Sequence, residues 1–202
     1  MLSAGRKIPP ITLLLCCPVL CIHSQDSFVS PLDTSGQTTI DGSSQPYLIR
    51  HLPVNAFPQL PPAVQAELNR RGCLIPQTYE AHRPENVVHA SLEHKGSSDW
   101  AVLCSVNGAS SLLVFLSSSG DPVVLSTAAE TSRLQAHGSS KVLGFNWGID
   151  PASPEQIHEA QLGMHHPPPR ADHDALADSI IEGRTIYRFY SHGTWTVLDT
   201  QD

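Results

Sequence analysis

The chain has 202 residues, 40% hydrophobic and 15% charged, with 19 acidic against 12 basic side chains and a formal net charge of −7. The acid excess and the lack of a basic cluster speak against a nucleic-acid partner, which would need a positive footprint. The length suits one domain with a genuine core.

Arg6 and Lys7 form a basic n-region, and Ile8 to Cys21 is an apolar run of signal-peptide length, too short for a comfortable membrane span. Ser24 can stand last before cleavage, which makes Gln25 the new N-terminus, although Ile22 is an imperfect fit at the third position back. The rival is lipidation of Cys17 or Cys21; the residues before them lack the small side chain such a site wants. Residues 1–24 are read as a signal peptide and the protein as exported, periplasmic or extracellular, with no membrane span in the mature chain. Cleavage removes two basic residues and no acid, leaving 10 against 19 and a formal net charge of −9. It also removes three of the five cysteines. Cys73 and Cys104 remain, and two cysteines in an oxidising compartment predict one disulfide. The alternatives are two buried thiols or a catalytic Cys104, whose apolar surroundings would raise its pKa instead of activating it.

Residues 25–55 are rich in Ser, Thr, Gly, Gln and Pro without an apolar period, and predict a disordered or loosely docked arm, with Tyr47, Leu48 and Ile49 touching the domain. The domain covers 56–202. Its first element is a helix over 62–71: Pro62 tolerates the first turn, Val64 and Leu68 share a face, and Arg70 and Arg71 suit the negative end of the dipole. Gly72 can close it in a left-handed conformation.

Strand signals follow at short spacing. NVVHASL alternates, WAVLCSV puts Trp100, Val102 and Cys104 on one face, SLLVFL is apolar throughout, and PVVLST follows a turn. Residues 127–140 are ambiguous, and KVLGFNW is a candidate strand. Ser153 caps a second helix over 154–162, with Pro154 at its first position and Gly163 at its end. DALADSII leans to strand. RTIYRFYSHGTWTVLDT reads as a terminal hairpin turning at Ser191-His192-Gly193. The expected fold is α+β, a single antiparallel sheet of five to seven strands with both helices on one face.

GMHHPPPRADHD, residues 163–174, holds the densest set of potential ligands. His158, His165, His166, His173 and Asp174 would be the donors of a divalent metal, the only cofactor the sequence suggests. The spacing argues against it: adjacent His165 and His166 point apart, and Pro167 to Pro169 favour an extended segment that holds its ends apart. A polar connector is the plainer reading. No nucleophile elbow, phosphate loop or zinc-hydrolase pair is present. Tyr187, Tyr190 and Trp195 of the last hairpin are candidates for a contact surface, or for core.

RGCLIPQ, the DWAVLC strand and the Gly-x-Trp of the closing hairpin resemble exported bacterial proteins of unknown function, over roughly residues 60–202. The resemblance implies a periplasmic or extracellular address and brings no activity, ligand or catalytic residue. The function expected is a small binding or interaction module for an unknown protein or small-molecule ligand outside the cytosol. The alternative is an exported hydrolase using His and Asp groups from separate loops, metal-assisted or not; a pocket gathering two or more of His89, Asp99, His173 and Asp174 would favour it.

The mature chain keeps ten of eleven histidines but only two lysines. Histidine titrates between about pH 5 and 8. Full protonation would carry the net charge from −9 to +1. The electrophoretic mobility of the mature protein should therefore fall steeply between about pH 7 and about pH 5; a mobility constant over that interval contradicts the reading.

Overall fold

A computed structural model of the chain describes residues 30–162, 164 and 167–199. Residues 1–24, expected to be a signal peptide, and both His165 and His166 lie outside the described residues. Among the described residues no helix is long and apolar enough to cross a membrane.

The first two strands, β1 (Thr34–Ile40) and β2 (Ser43–Pro53), form a hairpin. Asp41 and Gly42 turn it with φ of 49° and 77°. Both central residues of a two-residue hairpin turn need positive φ, and Asp-Gly is a favoured pair there. Residues 34–53 are thus strand where composition suggests a loose arm. Backbone pairing holds β1, most of whose side chains stay exposed, so there was no apolar period to read. Tyr47 and Ile49 do pack on the core.

After a short 3-10 turn comes α1 (Pro62–Arg71). Pro62 opens it, Val64 and Leu68 are buried, and Gly72 at φ 73° donates its N–H to the carbonyls of Leu68 and Asn69. Arg70 and Arg71 both reach back to Glu67. Cys73 follows and is disulfide-bonded to Cys104, with their Cα atoms 5.1 Å apart.

The remaining strands are β3 (Leu74–Gln77), β4 (Val87–Ala90), β5 (Asp99–Val106), β6 (Ala109–Phe115), β7 (Val123–Ala129), β8 (Leu134–Gln135), β9 (Leu143–Phe145), β10 (Trp147–Ala152), β11 (Ala175–Ile180), β12 (Thr185–Ser191) and β13 (Thr194–Asp199). The second helix, α2 (Pro154–Gln161), begins with a capping box in which Ser153 and Gln156 satisfy each other's backbone N–H.

The fold is α+β, but the expectation of one antiparallel sheet is corrected. Nine strands form a mixed sheet in the order β7-β6-β5-β3-β2-β9-β8, with β1 added on β2 and β4 on β5. Its β2–β9 pairing is parallel, Tyr47 and Leu48 lying beside Leu143 and Gly144. A second, antiparallel sheet runs β10-β11-β12-β13. The helices do not share a face either. α1 covers the disulfide side of the large sheet, with Val64 and Leu68 among Trp100, Val102, Cys104, Leu113 and Phe115. The Ile157 side chain of α2 packs instead on the small sheet, with Ala152, Ala175, Phe189 and Leu198. A local reading sees short turns and infers a meander. It cannot see a strand returning after some ninety residues to pair in parallel.

The two sheets face each other across the main core. Ile49, Ala101, Leu103, Leu112 and Val114 come from the large sheet, and Trp147, Ile149 and Leu176 from the small one. Strand β5 is buried on both faces, as its continuous apolar run requires. Trp100, Val102 and Cys104 turn to α1 while Ala101 and Leu103 turn to the small sheet.

The disulfide closes a separation of 31 residues, worth roughly 3–4 kcal/mol in the chain-entropy model. The double variant Cys73→Ala/Cys104→Ala should lose about that much in denaturant unfolding. Amides of β3 should lose more exchange protection than those of β6. Equal stability of oxidised and reduced protein would contradict this.

Candidate ligand pocket

Strand β2 changes partner in its middle. It pairs with β1 up to Ile49 and with β3 from Arg50 onward. Where the partners part, the chain before β1 and the loop after β3 leave a pocket of about 400 Å³. Arg50, His51, Asp33, Gln77, His82 and Arg83 supply its polar wall, and Leu32, Leu52, Pro53, Ala81 and Pro84 its apolar one.

Buried amides shape the loop. The Gln77 side-chain NH₂ donates to the carbonyls of Ile75, Pro76 and Glu85, and its oxygen accepts from Glu85 N–H at 3.0 Å. Thr78 N–H donates to the Glu85 carboxylate at 2.8 Å. Arg50 holds the other side: its Nη2 donates to the carbonyl of Ala81 at 2.7 Å and of Thr78 at 3.3 Å. Asp33 is committed, with one oxygen accepting from Ser30 N–H and the other from His51 N–H.

His51 is only 3% exposed. Its Nε2 lies 3.0 Å from Oε1 of Glu130, and both side chains are 2% exposed. Ser110 Oγ donates to the same carboxylate oxygen at 2.9 Å. Burial pushes the Glu130 carboxyl up, but the hydrogen bond and charge of His51 together with the neighbouring Ser105 and Ser110 hydroxyls outweigh it and hold it below the usual range. Glu130 is therefore an anion that only accepts, so the His51 proton sits on Nε2. His51 Nδ1 and Glu130 Oε2 have no hydrogen-bond partner among the described residues.

A second cleft, of about 460 Å³, adjoins the first through His82 and includes Glu80, His137 and Glu182. Tyr79 stacks on His137 at 4.6 Å, the rings 6° from parallel. Burial, then the Glu182 and Glu80 charges, push the Tyr79 phenol up. Gly144 is needed here, because a Cβ at that position would lie 2.4 Å from the Cβ of Tyr79.

The residues singled out from sequence lie elsewhere and apart. Arg170 Nη2 donates to His158 Nε2 at 3.0 Å, which uses the lone pair a metal would take. His173 Nδ1 faces Asp172 at 2.8 Å and its Nε2 the Tyr190 carbonyl at 2.9 Å; both partners are acceptors, so the two bonds together need both ring protons. Asp174 accepts from Ser91 N–H. His165 and His166 lie outside the described residues. Among the described residues no three His, Cys, Asp or Glu side chains gather as a metal would require.

Nor do His89, Asp99, His173 and Asp174 meet in one pocket. His89 bonds to Ser98 at 2.8 Å and stacks on Trp100 at 4.4 Å. Asp99 is a structural cap that accepts from the N–H groups of Leu92, Glu93 and Ser117 and from the Ser97 hydroxyl. Tyr187, Tyr190 and Trp195 are half-buried on two faces. Tyr190 and Trp195, their rings 5.4 Å apart, pack on the main core, and Tyr187 packs under α2.

Sequence reasoning passed over Arg50, His51 and Glu130. The available signal was an Arg-His step inside the apolar run YLIRHLPV; the Glu130 partner, 79 residues away, gave none. Compared with models of protein families, with curated proteins and with solved structures, the chain shows no match.

The lowered pKa values of Glu130 and of Asp99, where hydrogen bonds from Ser97 and three backbone N–H groups outweigh burial, fix the sign of the acid response. Folding favours their anions, so their stabilisation is complete above the ordinary carboxylate range and is lost as pH falls through it towards the folded values. Glu130→Gln should cost about 3 kcal/mol at neutral pH and make the acid loss of stability shallower. Wild-type and variant pH curves of the same shape would contradict an anionic Glu130.

Proposed function

We propose that the protein is an exported binding module and that its ligand is a small molecule seated in the pocket around Arg50 and His51. The basic n-region and apolar run at the start of the chain support export, as does the Cys73–Cys104 disulfide, a bond kept by oxidising compartments. The observation that carries the binding reading is the pocket itself. It has the size of a small-molecule site, with one apolar wall and a few convergent polar groups. Its lining includes His51, a buried histidine whose Nδ1 has no hydrogen-bond partner among the described residues. Asp33 and Gln77 fix the surrounding backbone, so the cavity is formed before anything enters it.

Protein-observed NMR with a mixture of small organic fragments tests the binding reading. Hits should move the amides of Asp33, Arg50, His51, Ala81 and His82 as one group. Shifts scattered over the surface, or none at all, overturn it. For export, residues 1–24 fused to a reporter enzyme that is active only outside the cytosol should yield activity, and the recovered protein should start at Gln25.

A further inference from the structure

We propose that residues 167–172 are a docking strap for a partner protein that reads polyproline II helices, a domain whose groove is walled by aromatic side chains. The strap runs beside α2 and the small sheet, and the proposal stands apart from the pocket at β2.

The pattern of exposure is the first ground. Pro167 is exposed, Pro168 half-buried, Pro169 and Arg170 exposed, Ala171 half-buried and Asp172 exposed. Burial recurs at every third residue. A polyproline II helix has about three residues per turn, so one lying on a surface turns one edge down and two edges out. The sequence favours that conformation: each proline ring fixes its own φ near about −65° and pushes the residue before it out of the α region. The inward edge carries Pro168 and Ala171, and Ala171 packs on the cluster of Ile157, Phe189 and Leu198. One outward edge carries Pro167 and Arg170, the other Pro169 and Asp172.

The way the strap is held is the second ground. Gln161, the last residue of α2, is only 6% exposed. Its side-chain NH₂ donates to the carbonyls of Pro168 at 3.0 Å and of Pro169 at 3.4 Å. Just past the strap, the buried His173 bonds through Nε2 to the Tyr190 carbonyl on β12. A mere connector has only to span the gap. This one is pinned by buried side chains while two of its prolines stay outside, which removes in advance chain entropy that docking would otherwise cost.

The chemistry of the outward edges is the third. Leu162, 68% exposed, stands beside Pro167 and Pro168 at a cleft of about 240 Å³ that Arg170 also lines. Exposed proline rings on a preformed polyproline II helix are what aromatic-lined grooves seat. Arg170 gives Nη2 to His158 and is otherwise exposed on the Pro167 edge, so an acidic side chain at one end of the groove completes the fit and sets the direction of the strap. A second copy of this chain does not supply the groove: among the described residues every Phe, Tyr and Trp is buried or half-buried. The partner is therefore a different protein.

NMR titration of the mature protein with a panel of purified SH3 and WW domains tests this, since these are grooves of the required chemistry. At least one domain should move the amides of Leu162, Arg170, Ala171 and Asp172 as a group and leave those of Arg50, Ala81 and His82 still. Against that domain, the double variant Pro167→Ala/Pro169→Ala should bind about tenfold more weakly and Arg170→Gln several-fold more weakly, both with the wild-type melting temperature. Gln161→Ala should also weaken binding, although Gln161 faces inward, because it frees the strap. If no domain of the panel moves the strap amides, or if one binds elsewhere on the surface, the docking proposal falls. A double proline variant bound as tightly as the wild type would overturn the assignment of the outward edges. Binding unchanged by Gln161→Ala would overturn the part played by pinning.

Discussion

The large sheet has a weak seam, and a covalent bond sits on it. Strands β3 and β5 share a single residue pair, Leu74 with Ser105. The residues just before that pair, Cys73 and Cys104, are the disulfide. On one side of the seam β5, β6 and β7 pair along seven or six residues each. On the other lie β2, β1 and β9, with the pocket. A ladder of one pair resists shear poorly, so the bridge holds these halves in register. It also fixes the start of β3, whose far end is Gln77, the residue that shapes the pocket loop. The oxidising compartment proposed from the N-terminus and the geometry of the pocket therefore bear on each other through one bond.

A second tie joins the sheets without a ladder. Asn86 is 2% exposed. Its NH₂ donates to the carbonyl of Pro76 at 2.7 Å and of Trp147 at 3.2 Å, and its oxygen accepts from Ile149 N–H at 3.0 Å. One side chain thus satisfies backbone groups of β3 and of β10, the edge of the small sheet. Its φ of 67° is one that asparagine tolerates and β-branched residues do not. Leaving three buried backbone groups unpaired would cost about 1–3 kcal/mol each. An apolar residue of the same size is no substitute here, and the loop between Gln77 and Asn86 is fastened at both ends.

What the sequence made legible was what neighbours in sequence decide. Helix α1 is written in Pro62, the Val64–Leu68 spacing and Gly72; α2 in Ser153 and Pro154; the last hairpin in His192-Gly193; the disulfide in the two cysteines beyond the N-terminal apolar run. The division into two sheets was not legible, because the partners of β2 and β10 are chosen by a core that no local window contains. The β1–β2 hairpin was half legible. Asp41-Gly42 is a turn signal, but strands of Ser, Thr, Gln and Gly carry no apolar period and read as loose chain. The site fell in that same blind region. The histidines clustered in sequence are engaged locally, His158 with Arg170 and His173 with Asp172. The histidine that matters for the pocket stands alone in sequence and gains its partner only by folding.

The His51–Glu130 pair is a poor device for stability alone. Two charges taken from water are costly, and their attraction repays that cost only when their remaining hydrogen-bonding atoms are satisfied. Here one oxygen of Glu130 accepts from His51 and Ser110, while the other oxygen and His51 Nδ1 have no partner among the described residues. An apolar pair of equal volume would serve the core better, so the arrangement makes sense as a means of orienting His51.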